Sequence, residues 1–426
     1  MKARHRDHLL FLSTSSRALK EHWMGMYNPV NKIFSFAADF KLELVFVLFP
    51  FKRWMAADMH EFFPGNYRWS YNTLLAFAAG GQLGDVALIL PHLQAAVGDD
   101  EAWHREWSWL ADALSRRADS GSRETASENL FLSSLYHTIS EHFVPPADPR
   151  RLAAYGHVLK AFESARELAP YALERVLVPY DGTTLPAYFM PVSGEVGRHP
   201  TLIFICGLDT TKELWFLRAR QQFVQRGFNC LFIDTPGIGE ALRYQKLYTR
   251  YDYERPVSAA VDYLISRHDV DPDRIGIVGS SLGGYYVSRA AAFEKRLKAA
   301  VAWGAIYDYF GVWERRMAGD GMAAAPTFQL MFITGTGNMQ DAIRHIENFR
   351  VAMFADRISC PFLIVHGAED RQISTSDAQA MFDAIGTRDK ELKIFSGEDG
   401  GAAHTQFDNH LPAVQFVADW MRKKLV

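Results

Sequence analysis

From about Ser15 to Pro170 the apolar positions recur at helical spacing. "SYNTLLAFAAGGQLGDVALILPHLQAAV" and "SENLFLSSLYHTISEHFV" place hydrophobic residues three and four apart between polar faces, which predicts helices. "DPRRLAAYGHVLKAFESAREL" adds an Asp-Pro start, suited to a cap and a first helical turn. Strand-like alternation is scarce here, and no repeat of constant period appears. After Pro170 the pattern changes. "ERVLVPYDGTTLPAYFMPV" predicts two antiparallel strands joined across Asp181-Gly182. Short apolar runs then alternate with amphipathic stretches: Thr201–Cys206, Cys230–Asp234, Ile275–Gly279, Ala299–Gly304, Pro361–Gly367 and Leu392–Gly397. Runs this short and this continuously apolar fit central parallel strands covered by helices on both faces. Between Ile306 and Arg350 the alternation is interrupted by a stretch longer than a crossover needs, read as a small helical lid over the carboxyl ends of the strands.

Composition narrows the function classes. The chain has 426 residues and a formal net charge of -3, ordinary for a globular protein and without a field to attract nucleic acid or an anionic membrane. No zinc-ligand spacing and no phosphate-cradling loop with its lysine occurs, so neither a metal nor a cofactor is expected. The apolar run near the basic N-terminus, Leu9–Leu12, is too short for a secretory signal. "LELVFVLFPF" (Leu42–Phe51) is too short to span a bilayer and is bordered by Lys41 and Lys52, so it reads as a buried cap helix. The three cysteines, Cys206, Cys230 and Cys360, each lie in or beside a strand-like run and read as small buried hydrophobes, consistent with a reduced, cytoplasmic setting.

Chemistry concentrates in "GSSLGG". The frame G-x-S-x-G puts a serine on a sharp strand-to-helix turn, with small residues two before and two after because the backbone passes close to its neighbours. Only Ser281 fits the frame, between Gly279 and Gly283; Ser280 holds the variable position. A serine hydroxyl needs a base to take its proton. In a sheet of this kind the chain order is serine, acid, histidine. The loop of "PFLIVHGAEDRQIS" supplies Asp370, with Glu369 as its competitor. The glycine-rich "SGEDGGAAHTQFDNH" supplies His404, preferred over His410 on the final helix, over His366 at a strand end and over His345. Two backbone N–H groups, of Leu282 after the nucleophile and of Leu208 in "GLDTTKE", are placed to hold an oxyanion.

Taken together, "GLDTTKE", "DTPGIGE", "GSSLGG", "WGAIYD", "HGAED" and a histidine in a final glycine-rich loop, all behind a helical region, resemble one α/β-hydrolase group. It contains the dihydroxypseudooxynicotine hydrolase of nicotine breakdown, polyketide-shortening hydrolases and FrsA-like esterases. The resemblance implies an α/β-hydrolase fold, with a helical N-terminal cap over residues 1–170, a catalytic domain over 171–426 and the lid at about 306–350. It implies a homodimer, a cofactor-free reaction on a small-molecule substrate, and Ser281, Asp370 and His404 as the catalytic set. Several relatives cleave a carbon-carbon bond flanked by carbonyls, and some use a further acid, for which Glu314 or Asp308 would stand here; Glu314 reads more simply as an exposed ion pair with Arg315 or Arg316. A carboxylesterase, an acyltransferase or cyclase would use the same three residues. A binding protein would not need them intact. Trp215, Phe216, Tyr285, Tyr307, Tyr309 and Trp313 would suit an aromatic substrate, although core and lid packing accounts for most of them.

Overall fold

A computed structural model describes residues 61–192, 194, 197–208, 210–320 and 322–426, with the side chain of Arg220 excepted. The basic N-terminus and Leu42–Phe51 lie outside the described residues, and so do the expectations placed on them. Ala56–Val426 forms one compact unit, so the helices before Pro170 and the sheet after it belong to the same body.

Five helices come first: α1 (Tyr67–Ala78), α2 (Leu83–Ala95), α3 (Asp100–Ala118), α4 (Arg123–Glu141) and α5 (Pro149–Leu168). The apolar stretch from Ser70 to Val97 is two helices, because Gly80 adopts φ 99 between them. Asp148 caps α5 by accepting from the Arg150 N–H, and Pro149 takes the first turn, where its missing N–H costs nothing. Trp69, Trp103, Trp107 and Tyr136 form the centre of a helical core, with Trp69 and Trp103 ring centroids 5.0 Å apart.

The sheet follows. β1 (Glu174–Tyr180) and β2 (Thr183–Met190) are antiparallel, and Asp181 and Gly182 both carry positive φ, as a two-residue hairpin turn demands. β3 (His199–Ile205), β4 (Asn229–Ile233), β5 (Val270–Ser280), β6 (Ala299–Trp303), β7 (Phe362–Gly367) and β8 (Lys390–Phe395) run parallel to one another, in the order β1-β2-β4-β3-β5-β6-β7-β8. Each apolar run in the sequence is one of these strands; β3, β4, β6, β7 and the second half of β5 are buried, packed with α6 (Lys212–Val224), α8 (Glu254–Ser266), α9 (Leu282–Phe293), α13 (Thr375–Ala384) and α14 (His410–Leu425), whereas β8, at the edge of the sheet, buries only Phe395. A one-turn helix, α7 (Gly239–Arg243), follows β4. The interruption after β6 contains α10 (Tyr309–Met317), α11 (Phe328–Thr334) and α12 (Met339–His345). This is the α/β-hydrolase architecture expected from the sequence. No described helix is long and apolar enough to cross a membrane. Cys206 and Cys230 are buried and Cys360 is half-buried; burial raises all three thiols, Cys360 to about 11.

Candidate active site

β5 ends at Ser280 and α9 begins at Leu282, so Ser281 alone makes the turn. Its φ of 57 and ψ of -120 are costly for a residue with a Cβ. Glycine is required on either side by contact. A Cβ on Gly279 would stand 2.3 Å from the Gly283 carbonyl oxygen, and one on Gly283 would stand 2.6 Å from that of Ile205. The strained turn lifts the Ser281 side chain out of the core, whereas Ser280 is buried at the strand end.

The three side chains picked out in the sequence meet. His404 Nε2 lies 2.9 Å from Ser281 Oγ, and His404 Nδ1 lies 2.6 Å from Asp370 Oδ2. With Nδ1–H donating to the carboxylate, Nε2 is left to accept from the serine hydroxyl. Asp370 follows β7 and His404 follows β8, and because these strands run parallel to β5 both loops lie at the same carboxyl end of the sheet as the turn. The Asp370 side chain is shut off from solvent, and its Oδ1 accepts from the N–H groups of Gln372 (2.8 Å) and Ile373 (3.0 Å). Burial alone would raise its pKa; attraction to His404 and these hydrogen bonds outweigh burial and hold the carboxyl below its ordinary value. Glu369 is exposed. His366 Nε2 donates to the Ile373 carbonyl at 3.1 Å, which makes His366 a brace for the acid's loop, and burial holds it below its ordinary value. His410 stacks on Trp303, and His345 Nε2 meets the Thr249 carbonyl at 2.7 Å, so neither reaches the serine.

Leu282 is the first residue of α9, where an N–H has no helical acceptor. Gly207 packs against it: a Cβ on Gly207 would be 3.4 Å from Leu282 N. Leu208, the next residue, lines the same cleft as Ser281. Leu282 and Leu208, one from each loop, thus line the cleft together with Ser281.

The auxiliary acids are not brought in. Glu314 is exposed on α10 and forms no ion pair with Arg315 or Arg316; Arg315 pairs with Asp377 at 3.4 Å. Asp308 caps α10 by accepting from the Gly311 N–H at 3.0 Å and lies 3.7 Å from Arg350. Helical periodicity explains the first: position 314 falls on the outer face of α10, one residue after the buried Trp313. The aromatics divide as well. Trp215 donates its indole N–H to the Ile205 carbonyl in the core, Tyr285 donates to the Tyr251 carbonyl, and of these six Tyr309 lines the cleft.

Sequence reasoning missed the contribution of the first helices. Tyr71 of α1 places its hydroxyl 3.3 Å from Thr405 Oγ1, and its ring centroid is 6.2 Å from that of His404. Asn72 Oδ1 meets His142 Nδ1 at 2.6 Å, and both residues line the cleft. No spacing in the sequence marks these residues, because their approach is set by how α1 packs on the catalytic loops. Glu213, Asp234 and Glu240 could in principle hold a cation, but Lys212 Nζ already lies 2.6, 2.9 and 2.6 Å from their oxygens.

A family model described as the prolyl oligopeptidase family matches residues 215–426, the part that carries Ser281, Asp370 and His404. Hydrolase acrC of Aspergillus aculeatus is 29% identical over 401 residues, covering 80% of this chain and 93% of that protein. The 2,6-dihydropseudooxynicotine hydrolase of Paenarthrobacter nicotinovorans is 28% identical over 273 residues, covering 63% of this chain and 71% of that one. A crystal structure of the 2,6-dihydroxy-pseudo-oxynicotine hydrolase superposes with a TM-score of 0.72 at 24% identity, over 83% of this chain and 95% of the other, a likeness of fold. The chain has the α/β-hydrolase fold. Within this fold the matched family segment begins inside α6, so the loop that carries Leu208 and the helical region that carries Tyr71 and His142 lie outside it.

Proposed function

We propose that this hydrolase works through an acyl-enzyme on Ser281 and cleaves the carbon-carbon bond between the carbonyls of a β-diketone or polyketide-like substrate. The reading is carried by the continuous hydrogen-bond chain Asp370–His404–Ser281, 2.6 and 2.9 Å long. His404 Nε2 takes the hydroxyl proton as Oγ attacks one carbonyl. The resulting oxyanion rests on the Leu282 and Leu208 N–H groups. Collapse breaks the bond to the central carbon, whose electron pair is delocalised onto the second carbonyl as an enolate. The imidazolium returns its proton to that enolate, releasing a ketone. Water, deprotonated by His404, then attacks the acyl-enzyme and frees a carboxylic acid and Ser281. Asp370 keeps the ring in the tautomer these transfers need and stabilises its positive form.

The preference for carbon-carbon cleavage is supported by the relative whose name marks it as a 2,6-dihydropseudooxynicotine hydrolase. Residues 1–170 as cap, 171–426 as catalytic domain and 306–350 as lid, together with assembly as a homodimer in the cytoplasm, belong to the same proposal; light scattering on the purified chain reads the assembly. The deciding experiment is product analysis with benzoylacetone. Accumulation of one ketone and one carboxylate per molecule consumed is expected. Turnover of nitrophenyl esters with benzoylacetone left intact would make the enzyme a carboxylesterase and remove the carbon-carbon assignment.

A further inference from the structure

Where an extra acid was expected, α10 delivers a cation. Arg316 lines the cleft beside Ser281, Tyr309 and Gln372. Its Nε is sealed from solvent and meets no acceptor, and its Cζ lies 5.1 Å from the centroid of the Trp313 ring. Among the described residues no carboxylate forms an ion pair with it: Asp377 is taken by Arg315, and Asp370, whose charge does act on Arg316, is bonded to His404. Burial lowers the pKa of Arg316, which Tyr309 and Asp370 only partly oppose. A guanidinium left without a counter-ion in the wall of a reaction cleft is unfavourable unless an anion arrives there. Its planar fork fits an oxyanion spread over two oxygens better than a point charge.

We propose that Arg316 is the anion-binding group of the cleft and takes a planar, delocalised oxyanion of the substrate in a two-pronged pair. Two sources share that chemistry: a carboxylate carried by the substrate, whose two oxygens meet the two prongs, and the enolate that leaves during carbon-carbon cleavage, whose single oxygen accepts from both prongs. The inference rests on the serine-hydrolase reading for its place in the reaction, but binding of an anion is measurable without turnover. That separates the two.

Calorimetry on the full chain compares 4-phenylbutyrate with the uncharged 4-phenylbutanamide. The carboxylate is expected to bind about tenfold or more tightly, the range of a charge-assisted hydrogen-bonded pair. Arg316→Gln should bring the two affinities to within about twofold, and Arg316→Lys should restore part of the gap, with thermal melting used to confirm that both variants fold. Equal affinities in the unaltered enzyme, or a preference that survives Arg316→Gln, would overturn the proposal. A second arm identifies the anion. If the ratio of kcat/KM for benzoylacetone to that for p-nitrophenyl acetate falls about tenfold in Arg316→Gln, the enolate is the ligand; if the ratio holds while the carboxylate preference collapses, a substrate carboxylate is. Failure of a serine-directed phosphonate to label Ser281 would sink the acyl-enzyme and leave the calorimetric result standing.

Discussion

Ser280 and Ser281 are chemically identical, and only their surroundings separate them. Ser281 sits at the strained turn with an imidazole 2.9 Å from its hydroxyl; Ser280 ends a strand and is buried. Ser281→Ala should abolish turnover and phosphonate labelling while far-ultraviolet circular dichroism stays unchanged, whereas Ser280→Ala should keep its labelling. Asp370→Asn should lower kcat by about 10⁴, because an amide holds the imidazole in the wrong tautomer; Glu369→Gln, on an exposed side chain, should leave kcat within about twofold. Asp370 also carries a pH signature. Its folded-state pKa lies below that of the unfolded chain, so the stability it contributes is present above the ordinary carboxyl value of about 3.9 and is lost as the pH falls through its lower folded value. The difference in unfolding free energy between wild type and Asp370→Asn should therefore shrink below about pH 4 in urea titrations. All three residues were legible because each is tied to a local pattern, a glycine frame or a loop after an apolar run. Tyr71 and Arg316 carry no such mark: their position depends on which face of a helix meets a loop more than fifty residues away, and spacing along the chain does not encode that.

At the scale of elements, legibility follows burial. Strands buried on both faces read as unbroken apolar runs, and the edge strand β8, half-exposed, reads as a run interrupted by Lys393; all six parallel strands appeared in the sequence, with ends displaced by a few residues where polar residues such as His199 and Lys390 continue the ladder. The helical region was legible in kind and less so in segmentation: one apolar stretch proved to be two helices because a glycine pair breaks it without interrupting the hydrophobicity. The turn between β5 and α9 is the least tolerant joint. Gly283→Ala would push a methyl into the carbonyls of Ile205 and Cys206, 2.6 and 2.7 Å from the new carbon. Backbone atoms cannot rotate away, so the substitution should cost about 1–3 kcal/mol and widen the Ser281–His404 gap. Thermal melting and phosphonate labelling rates are expected to fall together; an unchanged labelling rate in a folded variant would show that the turn has more freedom than its contacts imply.

On the scale of the molecule, the helical region and the sheet are held in register by buried charge as well as by apolar surface. Lys212, at the start of α6, sits among Glu213, Asp234 and Glu240 with no solvent access, and Asp234 also accepts from the backbone N–H groups of Lys212 and Glu240, each at 2.9 Å. Tyr155 of α5 reaches the same cluster, 3.4 Å from Glu213 Oε2 and from Asp234 Oδ2. A second cluster joins α4, α5, α7 and α11: Arg151 and Arg243 share Glu141 Oε1 at 3.0 and 2.8 Å, and Arg151 donates to Gln329 at 2.8 Å. Such networks leave little trace in a sequence, since a Lys-Glu pair at a helix start looks like any solvated one. Their weakness is asymmetry: removing one member strands the others. Burial opposes a charged Lys212, but Asp234 and Glu213 overcome it, while burial raises the pKa of Glu213. Lys212→Met should thus destabilise the fold by about 3–5 kcal/mol at neutral pH, measured by denaturant unfolding. Glu213→Gln, which removes the carboxyl whose pKa burial raises, should cost much less. The deficit of Lys212→Met should also narrow as the pH is lowered, because the stranded carboxylates then take up protons. A deficit that stays constant with pH would mean that lost packing, and not uncompensated charge, is what the lysine prevents.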